Sequence, residues 1–284
     1  MNSTRKTFRI GFVARGFITW GFIAWLCWLL PTGNLAAHDF WIEPSKFRAS
    51  VGEPIQFTLR IGQDFSGDSL PYITDWFSDY RVIGPQEEYP IQGIIGDDPA
   101  GEFIADKAGF YGVGYRSTKN FVELEPAKFK DYLEAEGLTA IINIREANGD
   151  ASSSGREFYS RCAKSLVKYG EPNSSDRFDA VFGYTLELIP ERNPYALSPG
   201  DSLPIRLLYE SEPIEDILVI AFTSNQPERK VEARTDGAGR VELELPHGGI
   251  WLIKAVHMIP VPPSDQEADW ESYWASLTFF LPPE

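Results

Sequence analysis

Cysteine is scarce in this 284-residue sequence, which contains only Cys27 and Cys162. Cys27 lies inside an apolar N-terminal segment, so the rest of the chain carries a single thiol. One thiol cannot form an internal disulfide, and the fold therefore has to be held together by its hydrophobic core. Cys162 shares an apolar stripe with Phe158 and Leu166, which predicts a buried structural thiol.

Several enzyme signatures are also missing. The sequence has no His-Glu-x-x-His zinc motif, no Cys-x-x-Cys pair, no Gly-x-Ser-x-Gly nucleophile turn and no glycine-rich phosphate loop. We therefore expect a binding protein more than an enzyme.

Positive charge is under-represented, with 26 Lys and Arg residues against 41 Asp and Glu residues and a formal net charge of −15. An acidic surface repels phosphate backbones and anionic lipid headgroups, which argues against nucleic-acid and membrane-surface partners. The same charge attracts cations, although a diffuse acidic coat is ordinarily just a solvated surface.

The first 37 residues have the pattern of a secretory signal peptide. They carry four basic and no acidic residues, an apolar run from Phe17 to Leu30, and small residues at the end of Leu35-Ala36-Ala37. A membrane anchor needs about 20 apolar residues, so cleavage after Ala37 is favoured over an uncleaved anchor. The mature chain would begin at His38, carry a formal charge of −19, and be periplasmic or secreted, with membrane contact only through the leader.

Short stretches of alternating apolar and polar residues predict a mainly β fold. The run Ile55–Ile61 alternates in this way and predicts a half-buried strand. Similar runs separated by Gly, Pro and Asp turns predict an N-terminal β-sandwich over 38–122. Strand patterns return after Pro172 and predict a second, immunoglobulin- or transthyretin-like sandwich over 176–284.

The apolar spacing changes between these two sandwiches. Pro126 suits the first position of a helix. Ser154 and Glu157 form a capping-box pattern ahead of another helix, which would carry Cys162 on its apolar stripe. The sequence thus predicts a helical insertion over 123–175.

A chain that begins with His38 offers two nitrogens to one metal ion, the α-amine and the ring Nδ1. His257 ends an apolar face of the predicted strand Ile250–Met258 and could add a second imidazole. This arrangement, called a histidine brace, suits Cu(II) or Ni(II). Asp39 and Glu271 are candidate oxygen ligands or hydrogen-bond partners of the imidazoles.

Other interpretations of these residues stay open. A histidine at a strand end is more often hydrogen-bonded to backbone than bound to a metal. Met258 points away from His257 by strand alternation, which favours a core position over an axial copper ligand. His247 lies in a predicted turn. A nearby aromatic group could stack on a sugar or form a core seam: Trp270, Tyr273 and Trp274.

Seven segments carry a resemblance to a known family: His38–Pro44, Gly114–Ser117, Ser160–Lys164, Asn193–Leu197, Pro204–Tyr209, Trp251–Met258 and Asp269–Leu277. They resemble a bacterial family of exported proteins that is labelled as a domain of unknown function. The resemblance covers essentially the whole mature chain and supports the leader boundary. Members are often described as periplasmic components of cobalt or nickel uptake. The resemblance thus supports His38 and His257 as candidate metal ligands.

Three hypotheses follow. The first is a periplasmic protein that binds nickel, cobalt or copper through His38 and His257 and passes the ion to a membrane transporter. The second is a copper oxidase that acts on glycans and resembles the lytic polysaccharide class, which also uses an N-terminal histidine brace. The third is a non-catalytic carbohydrate-binding or structural exported module.

Overall fold

A computed structural model of the chain describes residues 38–173, 176–262, 264 and 267–283. These residues form 18 strands and two α-helices, so the predicted mainly β fold is confirmed. The predicted signal peptide, residues 1–37, lies outside the described residues. Within the described part of the chain, no helix is both long and apolar enough to cross a membrane.

Strands succeed one another along most of the chain, and the two helices interrupt them between β9 and β10. The strands are β1 (Asp39–Pro44), β2 (Arg48–Ala49), β3 (Pro54–Gln63), β4 (Ser66–Leu70), β5 (Phe77–Ile83), β6 (Glu88–Pro90), β7 (Glu102–Ile104), β8 (Gly109–Ser117), β9 (Asn120–Leu124), β10 (Gly155–Tyr169), β11 (Leu186–Pro190), β12 (Ser202–Tyr209), β13 (Glu212–Pro213), β14 (Leu218–Thr223), β15 (Gln226–Arg234), β16 (Arg240–Glu244), β17 (Gly249–Pro260) and β18 (Trp270–Leu281). The helices are α1 (Pro126–Ala135) and α2 (Thr139–Asn148), and short 3-10 turns lie at Thr74–Trp76 and Pro194–Ala196.

The described strands form three sheets. A central ten-stranded sheet has the order β15-β14-β17-β18-β10-β8-β5-β6, and β2 and β9 also pair with β10. The N-terminal sheet has the order β1-β3-β4, with β7 paired to β3. The C-terminal sheet has the order β11-β12-β13, with β16 paired to β12. Neighbours along the central order are antiparallel except β10 and β18, which run parallel.

The two smaller sheets pack on opposite faces of the central sheet. Val167 of β10 belongs to the core shared with the N-terminal sheet, whereas its neighbour Leu166 belongs to the core shared with the C-terminal sheet. Successive side chains of a strand point to opposite faces, so β10 is buried from both sides. This layered packing agrees with the predicted β-sandwich architecture.

The two helices cover one end of the central sheet, on the face that carries the N-terminal sheet. Phe129 of α1 packs with Met258 of β17 and Trp274 of β18. The backbone of β10 comes close to α1 at Gly155, where an added Cβ would lie 2.3 Å from Cγ of Phe129. This packing brings Glu136, the residue that follows α1, towards β17.

The segment predicted to be a helix after Ser154 is instead the 15-residue strand β10. The prediction was wrong because Phe158, Cys162 and Leu166 are spaced by four residues, which places side chains on one face of a strand as well as on one face of a helix. Cys162 is a buried free thiol, as predicted, and its burial raises the pKa to about 11.

The central sheet runs through all three segments into which the sequence was divided. It takes β5 and β8 from 38–122, β10 from 123–175, and β14, β17 and β18 from 176–284. The described residues belong to one compact unit, with no break at the predicted domain boundaries. The sequence did not reveal this continuity, because the pairing of β10 with β18 joins residues as distant along the chain as Glu157 and Trp270.

Candidate functional site

Strand β1 begins directly after His38 and places an acidic side chain inside the protein. Oδ1 of Asp39 lies 2.7 Å from Nζ of Lys254 on β17, and the same Nζ lies 2.7 Å from Oε1 of Glu136. The three side chains are only 8 to 10% exposed. We call this buried group the Asp39–Lys254–Glu136 triad, and it ties β1 to β17 and to the end of α1.

The triad carries two carboxylates and one ammonium group. Burial alone would lower the pKa of Lys254, but the charges of Glu136 and Asp39 outweigh it and raise that pKa. Burial and the neighbouring charge of Asp39 raise the pKa of Glu136 against the opposing effect of Lys254. Both shifts reflect a buried cluster in which one negative charge has no matching cation within the triad.

His38 directly precedes Asp39 of the triad in the chain. Its ring nitrogen Nδ1 is buried and has no hydrogen-bond partner among the described residues. A buried polar atom without a hydrogen-bond partner lowers the stability of the folded state by about 1–3 kcal/mol. Such an atom is therefore a candidate for binding a ligand or for another function. In a chain processed before His38, the new α-amine would stand on the same residue as this nitrogen.

His257 occupies a different environment. Its ring lies 4.6 Å from the ring of Tyr209, centroid to centroid, and it is paired across strands with Tyr273. Burial lowers the pKa of His257 to about 4, so the ring is neutral at pH 7. Glu271, two residues before Tyr273 on the same face of β18, forms an ion pair with Lys119 at 2.6 Å.

The structure therefore divides the four predicted metal ligands between two faces of the central sheet. Lys254 and His257 are three positions apart on β17, so their side chains point to opposite faces. Asp39, and with it the N-terminal end of β1, lies on the Lys254 face, whereas His257 and Glu271 lie on the other. The described residues contain no group of three or more His, Cys, Asp and Glu side chains that could hold a metal ion.

The remaining candidates have structural positions. Met258 is buried in the cluster beneath the helices, as strand alternation predicts. The main-chain carbonyl of His247 accepts a hydrogen bond from the indole of Trp251 at 2.9 Å, and the His247 side chain is partly exposed. Trp270 and Trp274 belong to the same helix-covered cluster as Met258, so they form a core seam.

Two residues of the triad were not identified from the sequence. The one signal in the sequence was Lys254 itself, because a lysine within an apolar strand is rarely buried unless it is paired. Its partner Glu136 could not have been identified, since a helix end 118 residues away supplies it.

Residues 35–259, most of the chain, match the family described as "Domain of unknown function (DUF4198)". The chain belongs to this family, so the predicted membership of a family of unknown function is confirmed. No curated protein matches the sequence.

Two solved structures show weak likeness to the chain. The D0-D1 domain of intimin is 11% identical over 85% of this chain and 97% of its own length, with a TM-score of 0.20. Trypsin-activated alpha-2-macroglobulin from Escherichia coli is 11% identical over 84% of this chain and 18% of its own length, with a TM-score of 0.19. TM-scores this low support no argument about fold or function.

Proposed function

We propose that this member of the DUF4198 family is an exported carrier of a divalent transition-metal ion, bound at the N-terminal His38 of its processed chain. The α-amine and ring Nδ1 of His38 would supply two nitrogens to one ion. Nickel, cobalt and copper are the candidates, and Cu(II) binds nitrogen donors most tightly of the three. The bound ion would be delivered to a membrane transporter.

The observation that carries this proposal is the buried Nδ1 of His38, which has no hydrogen-bond partner among the described residues. A cation held by this nitrogen would give its lone pair a partner. The carboxylate of Asp39 is already occupied by Lys254, so the proposed site does not use it as a ligand.

The geometry supports a carrier better than a glycan oxidase. A histidine brace needs the imidazoles of two histidines at one metal ion, and His257 lies on the face of the sheet opposite the triad. With the ligands of His38 alone, the ion would keep open positions that a transporter can use to take it over.

Native mass spectrometry of the exported, purified protein tests this proposal. We expect a chain that begins at His38 and carries one metal ion, which a chelator removes. Elemental analysis of the released ion identifies the metal, because nickel and cobalt are too close in mass to be distinguished on the intact protein. His38→Ala should abolish the adduct, whereas the matched controls His247→Ala and His257→Ala should retain it. A chain that begins elsewhere, or an adduct kept by His38→Ala and lost from His257→Ala, would contradict the assignment.

A further inference from the structure

The Asp39–Lys254–Glu136 triad brings one amine into contact with two carboxyl groups inside the protein. Nζ of Lys254 lies 2.7 Å from Oδ1 of Asp39 and 2.7 Å from Oε1 of Glu136. A carboxyl carbon lies one bond beyond its oxygen, so Nζ is about 3.5 Å from Cγ of Asp39, close to a near-attack arrangement. The triad is thus placed for a reaction between two of its side chains as well as for an ion pair.

Apolar side chains shield the triad from water. Its neighbours on the same faces of β1, β14 and β17 belong to one buried apolar cluster: Trp41, Ile220 and Leu252. The three triad side chains are themselves only 8 to 10% exposed. Burial penalises charged groups and therefore favours any step that removes them. A covalent bond between Asp39 and Lys254 would remove two buried charges at once.

Glu136 can accept the proton that the amine must lose before it reacts. Burial by itself lowers the pKa of Lys254 and raises that of Glu136, so it favours the state in which both groups are neutral. The pKa of Lys254 is nevertheless raised, because the charges of Glu136 and Asp39 outweigh burial. Transfer of the proton to Glu136 cancels one of those charges, so the neutral amine can form within the triad itself.

A buried hydroxyl group lies beside the triad without a bonding partner. Ser276 of β18 pairs with Lys254 across strands and therefore points to the same face of the central sheet. Its Oγ is buried and has no hydrogen-bond partner among the described residues. This hydroxyl can hydrogen-bond a water molecule that a reaction in the triad releases.

We propose that Lys254 and Asp39 react with each other and join β17 to β1 through an amide bond, with Glu136 as the proton carrier. The neutral amine of Lys254 attacks Cγ of Asp39, and a C–N bond forms. Glu136 and the attacking nitrogen each give one proton to the oxygen that leaves, and the C–O bond breaks with release of water. One ammonium and one carboxylate thus become one amide and one water, and no oxidant or other reactant is needed.

A second buried ion pair of the same molecule provides a matched control. Nζ of Lys164 lies 2.8 Å from Oε1 of Glu187, and their side chains are 5% and 1% exposed. The other hydrogen-bond acceptors of this Nζ, among the described residues, are the carbonyl oxygens of Ala180 and Leu188. No second carboxyl group is in contact to carry the proton, so we expect this pair to stay non-covalent.

Intact mass and peptide mapping of the unaltered protein, both under denaturing conditions, test the proposal. We expect a mass about 18 Da below that of the chain's sequence, which is the mass of one water, and a proteolytic fragment that joins the peptides of Asp39 and Lys254. The peptides of Lys164 and Glu187 should appear separately. A full mass, or a loss of water without the joined fragment, would overturn the proposal.

Three variants separate the roles within the triad. Glu136→Gln keeps both reacting groups but should return the protein to its full mass, and Lys254→Arg should do the same because a guanidinium group stays protonated. Asp39→Asn should release ammonia instead of water and lose about 17 Da. A joined fragment that persists in Glu136→Gln would overturn the role of Glu136. If a variant fails to fold, the peptide map of the unaltered protein decides, and no result depends on metal binding at His38.

Discussion

The ring of His257 lies half-buried against Tyr209, and this burial lowers its pKa to about 4. The unfolded chain would protonate the same ring near pH 6.5, its ordinary value. Between these two pH values the unfolded state binds more protons, so the contribution of His257 to stability is present above pH 6.5 and lost as the pH falls towards 4.

We predict that His257→Leu removes this pH dependence. In the unaltered protein, His257 should account for a loss on the order of 2 kcal/mol of unfolding free energy between pH 6.5 and 4, allowing for its partial exposure. Urea unfolding at several pH values measures how the unfolding free energy depends on pH. His247→Leu is the matched control, and it should leave this pH dependence unchanged. An unchanged slope in His257→Leu would show that the ring titrates normally.

The pKa of Glu157 on β10 is shifted upwards, in the direction opposite to that of His257. Oε1 of Glu157 accepts hydrogen bonds from the hydroxyls of Tyr132, at 3.1 Å, and Ser272, and Ser272 in turn accepts one from the indole of Trp274 at 3.0 Å. Burial raises the pKa of Glu157 to about 7, and these hydrogen bonds together with Arg161 only partly oppose it. The folded protein therefore favours the protonated acid, a preference lost as the pH rises through 7.

We predict that Glu157→Gln stabilises the protein at pH 8, by a margin on the order of 3 kcal/mol. The amide keeps an oxygen that can accept the bonds from Tyr132 and Ser272, but it never ionises. Thermal or urea unfolding at pH 5 and pH 8 should show a gain at pH 8 that shrinks at pH 5. Equal effects at both pH values would contradict a raised pKa, and the exposed Glu123→Gln on neighbouring β9 should show no gain.

At the scale of elements, strand types could be predicted from the sequence more readily than their partners. The alternation in Ile55–Ile61 correctly predicted a strand, now part of β3, because one face is buried and the other is not. Alternation also placed Met258 correctly, since it depends only on neighbouring residues. Strand β10 was predicted to be a helix because a spacing of four residues fits the periodicity of a strand as well as that of a helix. Ser154 and Glu157, which form a capping-box pattern in the sequence, make tertiary contacts instead.

The Asp39–Lys254–Glu136 triad joins three elements, so its removal should destabilise the whole protein. We predict that Lys254→Met lowers the unfolding free energy by about 3–5 kcal/mol, because two buried carboxylates would lose their only cation within the triad. Adding Glu136→Gln should recover part of the loss, since one of those charges disappears. Urea unfolding midpoints measure both effects.

A matched control is Lys130→Met. Lys130 pairs with Glu134 one turn further along α1, and their side chains are 61% and 51% exposed. An exposed pair of this kind contributes about 0–1 kcal/mol, so the change should be small. If Lys254→Met were no more destabilising than Lys130→Met, the triad would not join these elements as described.

At the scale of the whole molecule, the mainly β class and the layered packing followed from local patterns. The single continuous sheet did not, because its pairings join residues far apart in the sequence. The same limit applies to the candidate site. The sequence indicated His38, Asp39, His257 and Glu271 as candidate ligands, but no local signal could reveal that His257 belongs to the opposite face of the sheet from Asp39.

The most direct test of the proposed function compares Cu(II) binding by two forms of the mature protein. One form begins at His38 with a free α-amine, and the other begins at the same residue with that amine acetylated, which converts the chelating α-amine into an amide. We predict that acetylation weakens Cu(II) binding by more than about tenfold, since one of the two nitrogen ligands is lost as a free amine. Equal affinity of the two forms would contradict a metal site at the processed N-terminus.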